Sequence, residues 1–116
     1  MPQPAAKIVE QASTAIDRGH LTRMTFGDRS LEREVLGLFD RQAELLLARM
    51  RSGDPQAMAA LAHTLRGSAS GIGAGNVARA AQAVEQAGPA ERETAMAMLA
   101  TTIVEARAAI AELLRD

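Results

Sequence analysis

Met96, Leu99, Ile103, Ala106, Ile110 and Leu113 recur at gaps that alternate between three and four residues. A half-buried strand repeats every two residues and an α-helix every 3.6, so this seam admits only a helix. The alternation of threes and fours also suits left-handed packing against a near-antiparallel neighbour. Pro89 opens this last predicted helix. Elsewhere alanine is abundant, the aromatics are limited to Phe26 and Phe39, and β-branched residues are scattered, so no segment offers the alternating pattern of a strand. No sheet is expected.

Glycine and proline divide the remainder into further helices. A first helix is expected after Pro4, with Ile8, Val9, Ala12 and Ile16 on one face and Gly19 as its stop. The segment from His20 to Gly27 reads as a loop or a short helical turn. Asp28 or Ser30 then serves as N-cap to a long helix ending near Gly53, with Leu31, Val35, Leu38, Phe39, Leu45, Leu46 and Met50 as its apolar side. Leu36 and Leu47 widen that side, either packing under the N-terminal helix or facing a partner. Asp54-Pro55 is a strong start signal for a third helix through Met58, Leu61, Ala62, Leu65, Ala69 and Ile72. Glycines at 71, 73 and 75 break the pattern. Val77, Ala80, Ala81 and Val84 outline a fourth helix that stops at Gly88. The predicted fold is all-α: an up-and-down antiparallel four-helix bundle, with an additional N-terminal covering helix.

Size and charge narrow the functions open to such a bundle. A chain of 116 residues is expected to form one domain, residues 1–116, around a single modest core. It has no cysteine, which excludes disulfides, thiolate metal sites and thiol nucleophiles. Its 13 basic and 14 acidic residues nearly cancel without forming a block of one sign. That balance argues against a nucleic-acid surface or a polybasic membrane patch. No apolar run approaches the roughly 20 residues of a bilayer span, and the N-terminus lacks the build of a secretory signal. The expectation is a cytoplasmic protein, monomeric, with neither nucleic acid nor membrane as partner.

His63 is the residue that invites chemistry. At about 100° per residue it points roughly 140° away from Met58, and hence away from the apolar face of the third helix. Ala59, Ala60, Arg66 and Gly67 lie three and four residues from it, with Ser70 one turn beyond. A glycine inside a helix costs about 1 kcal/mol relative to alanine. Gly67 is therefore a local fault unless it serves a purpose, and beside an exposed imidazole it removes the side chain that would crowd the ring. A neutral imidazole nitrogen is a good nucleophile toward phosphorus. Arg66 is placed to neutralise a phosphoryl group on that ring.

The run His63-Thr64-Leu65-Arg66-Gly67-Ser68-Ala69, followed by Ile72-Gly73, Val77, Val84 and Glu85, resembles the histidine-containing phosphotransfer (HPt) domain. The family pattern is A-H-x-L-K-G-S-A with a later apolar-Gly and an apolar-rich helix often ending in Leu-Glu. The likeness extends more weakly to Phe39 and to Gly53-Asp54, and in helix order it covers essentially the whole chain. It implies a four-helix bundle in which His63 accepts a phosphoryl group from an aspartate of one receiver domain and yields it to an aspartate of another, from hybrid histidine kinase to response regulator. It implies no cofactor in this chain, with Mg2+ expected in the partner receiver domain. It also implies no bound ATP. The 116 residues are too few to conceal a nucleotide-binding α/β domain as well, so a stand-alone intermediate is expected rather than a piece of a kinase. The family usually has lysine where Arg66 stands; charge is kept, but a planar fork is not a compact ammonium.

Other readings of the same residues remain open at this level. Gly73-Ala74-Gly75-Asn76-Val77-Ala78 fits one form of the dinucleotide fingerprint, with Glu93 downstream, but that motif needs a preceding strand. The glycines read better as a helix C-cap and tight connection. His20 and His63 are the only imidazoles, no metal-binding spacing occurs, and Glu32, Glu34, Glu44 and Glu85 read as solvated. His20 is expected at a loop or helix end. Neither Ser68 nor Ser70 has a triad partner at helical spacing. A receiver footprint would centre on His63, Gly67 and Ser70, with Ala59 and Ala60 beside them. Its candidate edges are Leu36, Ala43 and Leu47 on the second helix and Arg79, Gln82 and Gln86 on the fourth. The competing function is a non-catalytic helical adaptor that binds a signalling partner and never carries phosphate.

Overall fold

A computed structural model describes residues 15–115. All regular structure among them is helical: α1 (Arg18–Met24), α2 (Arg29–Ser52), α3 (Pro55–Ile72), α4 (Gly75–Gln86) and α5 (Arg92–Leu114). The helix predicted after Pro4, with Ile8, Val9 and Ala12, lies outside the described residues. Ile16, assigned to that helix, is buried in the turn before α1. Gly19 does not stop a helix but sits inside α1, because Asp17 caps the N-terminus just before it, accepting from the His20 amide at 3.0 Å.

Side-chain caps start α2 and α3, whereas α4 and α5 begin without one. The αL turn at Phe26 and Gly27, φ 56° and 73°, redirects the chain into α2, and the Asp28 carboxylate accepts from the Leu31 amide at 3.0 Å. Asp54 does the same for α3 through the Ala57 amide at 2.8 Å, and Pro55 occupies a first-turn position whose missing N–H costs nothing there. At the other end of α3, Gly73 adopts φ 84° as a left-handed C-cap. The fourth helix ends at Gln86, two residues before the predicted stop. Residues 89–91 form a turn, with the Glu91 amide donating to the Gly88 carbonyl at 3.1 Å, so the last helix starts at Arg92 rather than at Pro89.

The long helices pack in a closed circuit: α2 on α3, α3 on α4, α4 on α5, and α5 back on α2. Between them lie Leu36, Phe39, Ala43, Leu46 and Met50 of α2, Ala62, Leu65 and Ala69 of α3, Val77, Ala81 and Val84 of α4, and Leu99, Ile103, Ala106 and Ile110 of α5, all buried. Each large side chain in this set contributes about 1.5–3 kcal/mol by leaving water. The interleaved alanines let the helix backbones approach closely. α1 packs on α3, and the backbone amide of Asp17 donates to the Gly73 carbonyl at 2.8 Å.

The buried seam of α2 is 36, 39, 43, 46 and 50, the same alternation of threes and fours seen in α5. Leu38 and Leu45, predicted to be core, are 53% and 52% exposed. Each lies two residues beyond a seam position, about 200° around the helix. Leu36 and Ala43 are correspondingly buried, so neither can line a partner surface.

Candidate functional site

His63 projects from the middle of α3 with 66% of its side chain exposed. The core positions Ala62 and Leu65 flank it, which fixes its direction: burying them turns position 63 outward. Gly67 follows one turn later, and a Cβ built there would meet nothing within 4 Å. The glycine is thus not a close-packing contact between helices. The surface beside the imidazole is open, and Ala60 and Ser70 are exposed along the same stretch of α3 while Ala59 is half-buried.

Both polar contacts found for the ring are made through Nδ1. Glu85 Oε1 of α4 lies 2.8 Å from it, and Arg66 Nη2 lies 3.0 Å from it. Arg66 Nε in turn stands 3.1 Å from Glu85 Oε2. That second carboxylate oxygen is buried and receives no well-aligned hydrogen bond, so its contact with Arg66 acts as an ion pair. The Glu85 side chain is only 17% exposed, in contrast to the solvated glutamate expected from the sequence. The reason is register: Val84 points into the core, and the next residue of α4 lies over the α3 face that carries His63 and Arg66. The only advance signal was the Val84-Glu85 end of the family resemblance.

The remaining predicted site residues divide by location. Arg79, Gln82 and Gln86 are exposed on α4, the helix that supplies Glu85. Arg79 donates to Asn76 Oδ1 and lines an open polar recess with Ser70, Asp17, His20, Gly73 and Asn76, so the structure brings Ser70 and Arg79 together. His20 falls in the first turn of α1, its Nε2 3.2 Å from the Gly71 carbonyl. Leu47 is not brought to His63. It lines a groove between α2 and α5 with Glu44, Ala48, Arg51, Ile103, Val104 and Arg107. The glycines of the dinucleotide-like motif form a helix C-cap and the first residue of α4, and no strand precedes them among the described residues. No group of three or more His, Asp or Glu among the described residues is arranged to hold a metal ion. No described helix is long and apolar enough to cross a membrane.

The site is thus an exposed histidine in an all-helical domain, with a cation and a glycine on the following turn. The family model described as the Hpt domain matches residues 31–116, and the chain belongs to that family. Hpt domains take part in the phosphotransfer reactions of two-component phosphorelays and interact there with receiver domains. No match was found among curated proteins, and none among solved structures.

Proposed function

We propose that this protein relays a phosphoryl group between aspartates of receiver domains, from a hybrid histidine kinase to a response regulator, through a phosphohistidine at His63. The observation that carries the reading is the unobstructed imidazole: His63 is exposed, and the space over Gly67 is empty. With Nδ1 occupied by protein groups, Nε2 is the nitrogen left to react. Its lone pair attacks the phosphorus of the aspartyl phosphate, the P–O bond to the carboxylate breaks, and the bonding electrons leave with that carboxylate. The ring gains one positive charge as the donor aspartate regains its negative one. Glu85 beside Nδ1 offsets the charge on the ring, and Arg66 offsets the charge on the phosphoryl oxygens.

The fold that presents this site is best described as an up-and-down antiparallel four-helix bundle of α2 to α5, with α1 laid over α3. A receiver domain must bring its aspartate in line with Nε2, so its footprint centres on His63, Gly67 and Ser70. Ala59, Ala60, Gln82, Gln86 and Arg79 form its borders, on α3 and α4 alone. The chemistry requires no cofactor in this chain; Mg2+ belongs to the receiver. The reading fits a monomer working in the cytoplasm. Peptide mapping of protein labelled by a phosphorylated receiver tests it: the label should be acid-labile, alkali-stable and confined to the peptide containing His63. Binding of a receiver without any such label would instead make the protein a non-catalytic adaptor.

A further inference from the structure

Between α2 and α5 runs an open groove of about 400 Å3, lined by Leu47, Ala48, Ile103 and Val104. Ile103 is buried at its floor, while Val104 stands 67% exposed on its lip. Ala97, Thr101, Val104, Ala108 and Ala111 continue this exposed side along α5 at gaps of four, three, four and three, and none of them carries a charge. The solvent side of a surface helix ordinarily does. Charge instead marks the two ends of the groove. Glu44 and Arg51 both line it from α2, seven residues apart, which is two helical turns or about 10 Å. At the Glu44 end, Asp40 and Glu44 outweigh the one charge of Arg107, and Glu44 keeps 67% of its side chain exposed. At the other end, Arg51 is exposed and has no ion pair among the described residues. The groove is therefore negative at one end, positive at the other and apolar between them.

We propose that the α2–α5 groove is covered by a second copy of this chain, related by a two-fold axis that runs the two grooves antiparallel. Such an axis lays Arg51 of each protomer against Glu44 of its partner and seats Val104 of each beside Leu47 and Ala48 of the other. Because the contact is isologous, every pair occurs twice. The charges select the direction: a parallel arrangement would set Arg51 against Arg51 and Glu44 against Glu44. The alanines at 97, 108 and 111 let the two α5 helices approach closely. Relay through His63 asks for only one copy, and the pairing is an addition to it that does not rest on that reading. The helix that carries His63, α3, packs on α2 and α4 and stands across the circuit from α5, so both imidazoles stay open in the pair.

Sedimentation equilibrium of the full chain over a concentration series tests the pairing. The wild type should dimerise reversibly, and more weakly in high salt. Arg51→Glu and Glu44→Arg should each weaken dimerisation by about tenfold or more, since each sets like charges together twice. An equimolar mixture of those two variants should pair again, because both cross-contacts are then of opposite sign. Val104→Asp should abolish the dimer, whereas Leu38→Asp, half a turn around α2 from Leu47, should leave it intact. Arg51 is exposed and unpaired, so Arg51→Glu decides the charge test should Glu44→Arg, which faces Arg107, not fold. A chain that stays monomeric to millimolar concentration overturns the proposal and leaves the groove to a helix of a different protein. A dimer that survives both Arg51→Glu and Val104→Asp, or that is lost in Leu38→Asp alone, uses another face and overturns it equally.

Discussion

Gly67 stands one helical turn after His63, and a Cβ on it would meet no atom within 4 Å. Helix stability and access to the imidazole therefore pull in opposite directions at this position. Gly67→Ala should stabilise the fold by about 1 kcal/mol, since alanine removes the conformational cost of a mid-helix glycine without a clash. Thermal unfolding should rise by a few degrees, on the order of 4 °C. Gly67→Leu should fold equally well and lose phosphotransfer by about tenfold or more, because the side chain occupies the approach to the ring. Unfolding curves and transfer rates on the same preparations separate the two effects; undiminished transfer in Gly67→Leu would remove this account of the glycine.

Gly73 is a glycine of the opposite kind. Its φ is +84°, and a Cβ there would lie 2.8 Å from the Asp17 carbonyl oxygen. Gly73→Ala should cost about 2 kcal/mol or more, combining αL strain with displacement of the segment that leads into α1. Gly71→Ala is the matched control, because its added methyl would meet nothing within 4 Å. Denaturant midpoints should fall for the first and hold or rise for the second.

The seam of α2 makes a sharp contrast between neighbouring leucines. Leu36 is 1% exposed and Leu38 53%. Leu36→Ala should cost about 2–5 kcal/mol, and Leu38→Ala no more than about 0.5 kcal/mol. Equal losses in chemical denaturation would mean that α2 is rotated from the orientation described.

Arg107 of α5 reaches across to α2, its Nε donating to Asp40 Oδ1 at 2.8 Å, with Glu44 3.3 Å from Nη2. The hydrogen bond to Asp40 and the nearby carboxylates hold the guanidinium pKa above its ordinary value against the opposing effect of burial. A raised folded-state value contributes stability that is fully present below the ordinary arginine pKa and is lost only as pH climbs past the raised one. The guanidinium thus adds no pH dependence across the neutral range. With side chains 38% and 30% exposed, the pair should show a coupling of about 0.2–1 kcal/mol in a double-mutant cycle of Arg107→Ala and Asp40→Ala, shrinking in high salt.

Much of this was legible in the residues, for reasons that differ by element. The start of α3 was plain because Asp54-Pro55 combines a cap with a first-turn proline, and its end because only glycine takes the αL cap at 73 comfortably. The outward direction of His63 followed from the positions of Ala62 and Leu65. The face of α2 was not legible. Leucines at 31, 36, 38, 45, 46 and 47 outnumber the seam positions, so periodicity alone could not choose among rotations of the helix, and burial of the small Ala43 decided it. Glu85 was hidden for another reason: its partners lie 22 and 19 residues earlier on a different helix, and only the mutual facing of α3 and α4 joins them. Local pattern carries the helices, whereas cross-helix polar contacts depend on packing that no single helix encodes.

The central claim is that His63 carries phosphate, and the most direct measurement is transfer from a receiver domain phosphorylated on its aspartate to wild type and to His63→Gln. The account predicts rapid loss of label from the receiver, its appearance on the wild type as an acid-labile and alkali-stable species, and none on His63→Gln despite an unchanged helical circular dichroism spectrum. Equal labelling of the two proteins, or binding of receivers from the same cell with no labelling of either, would contradict it.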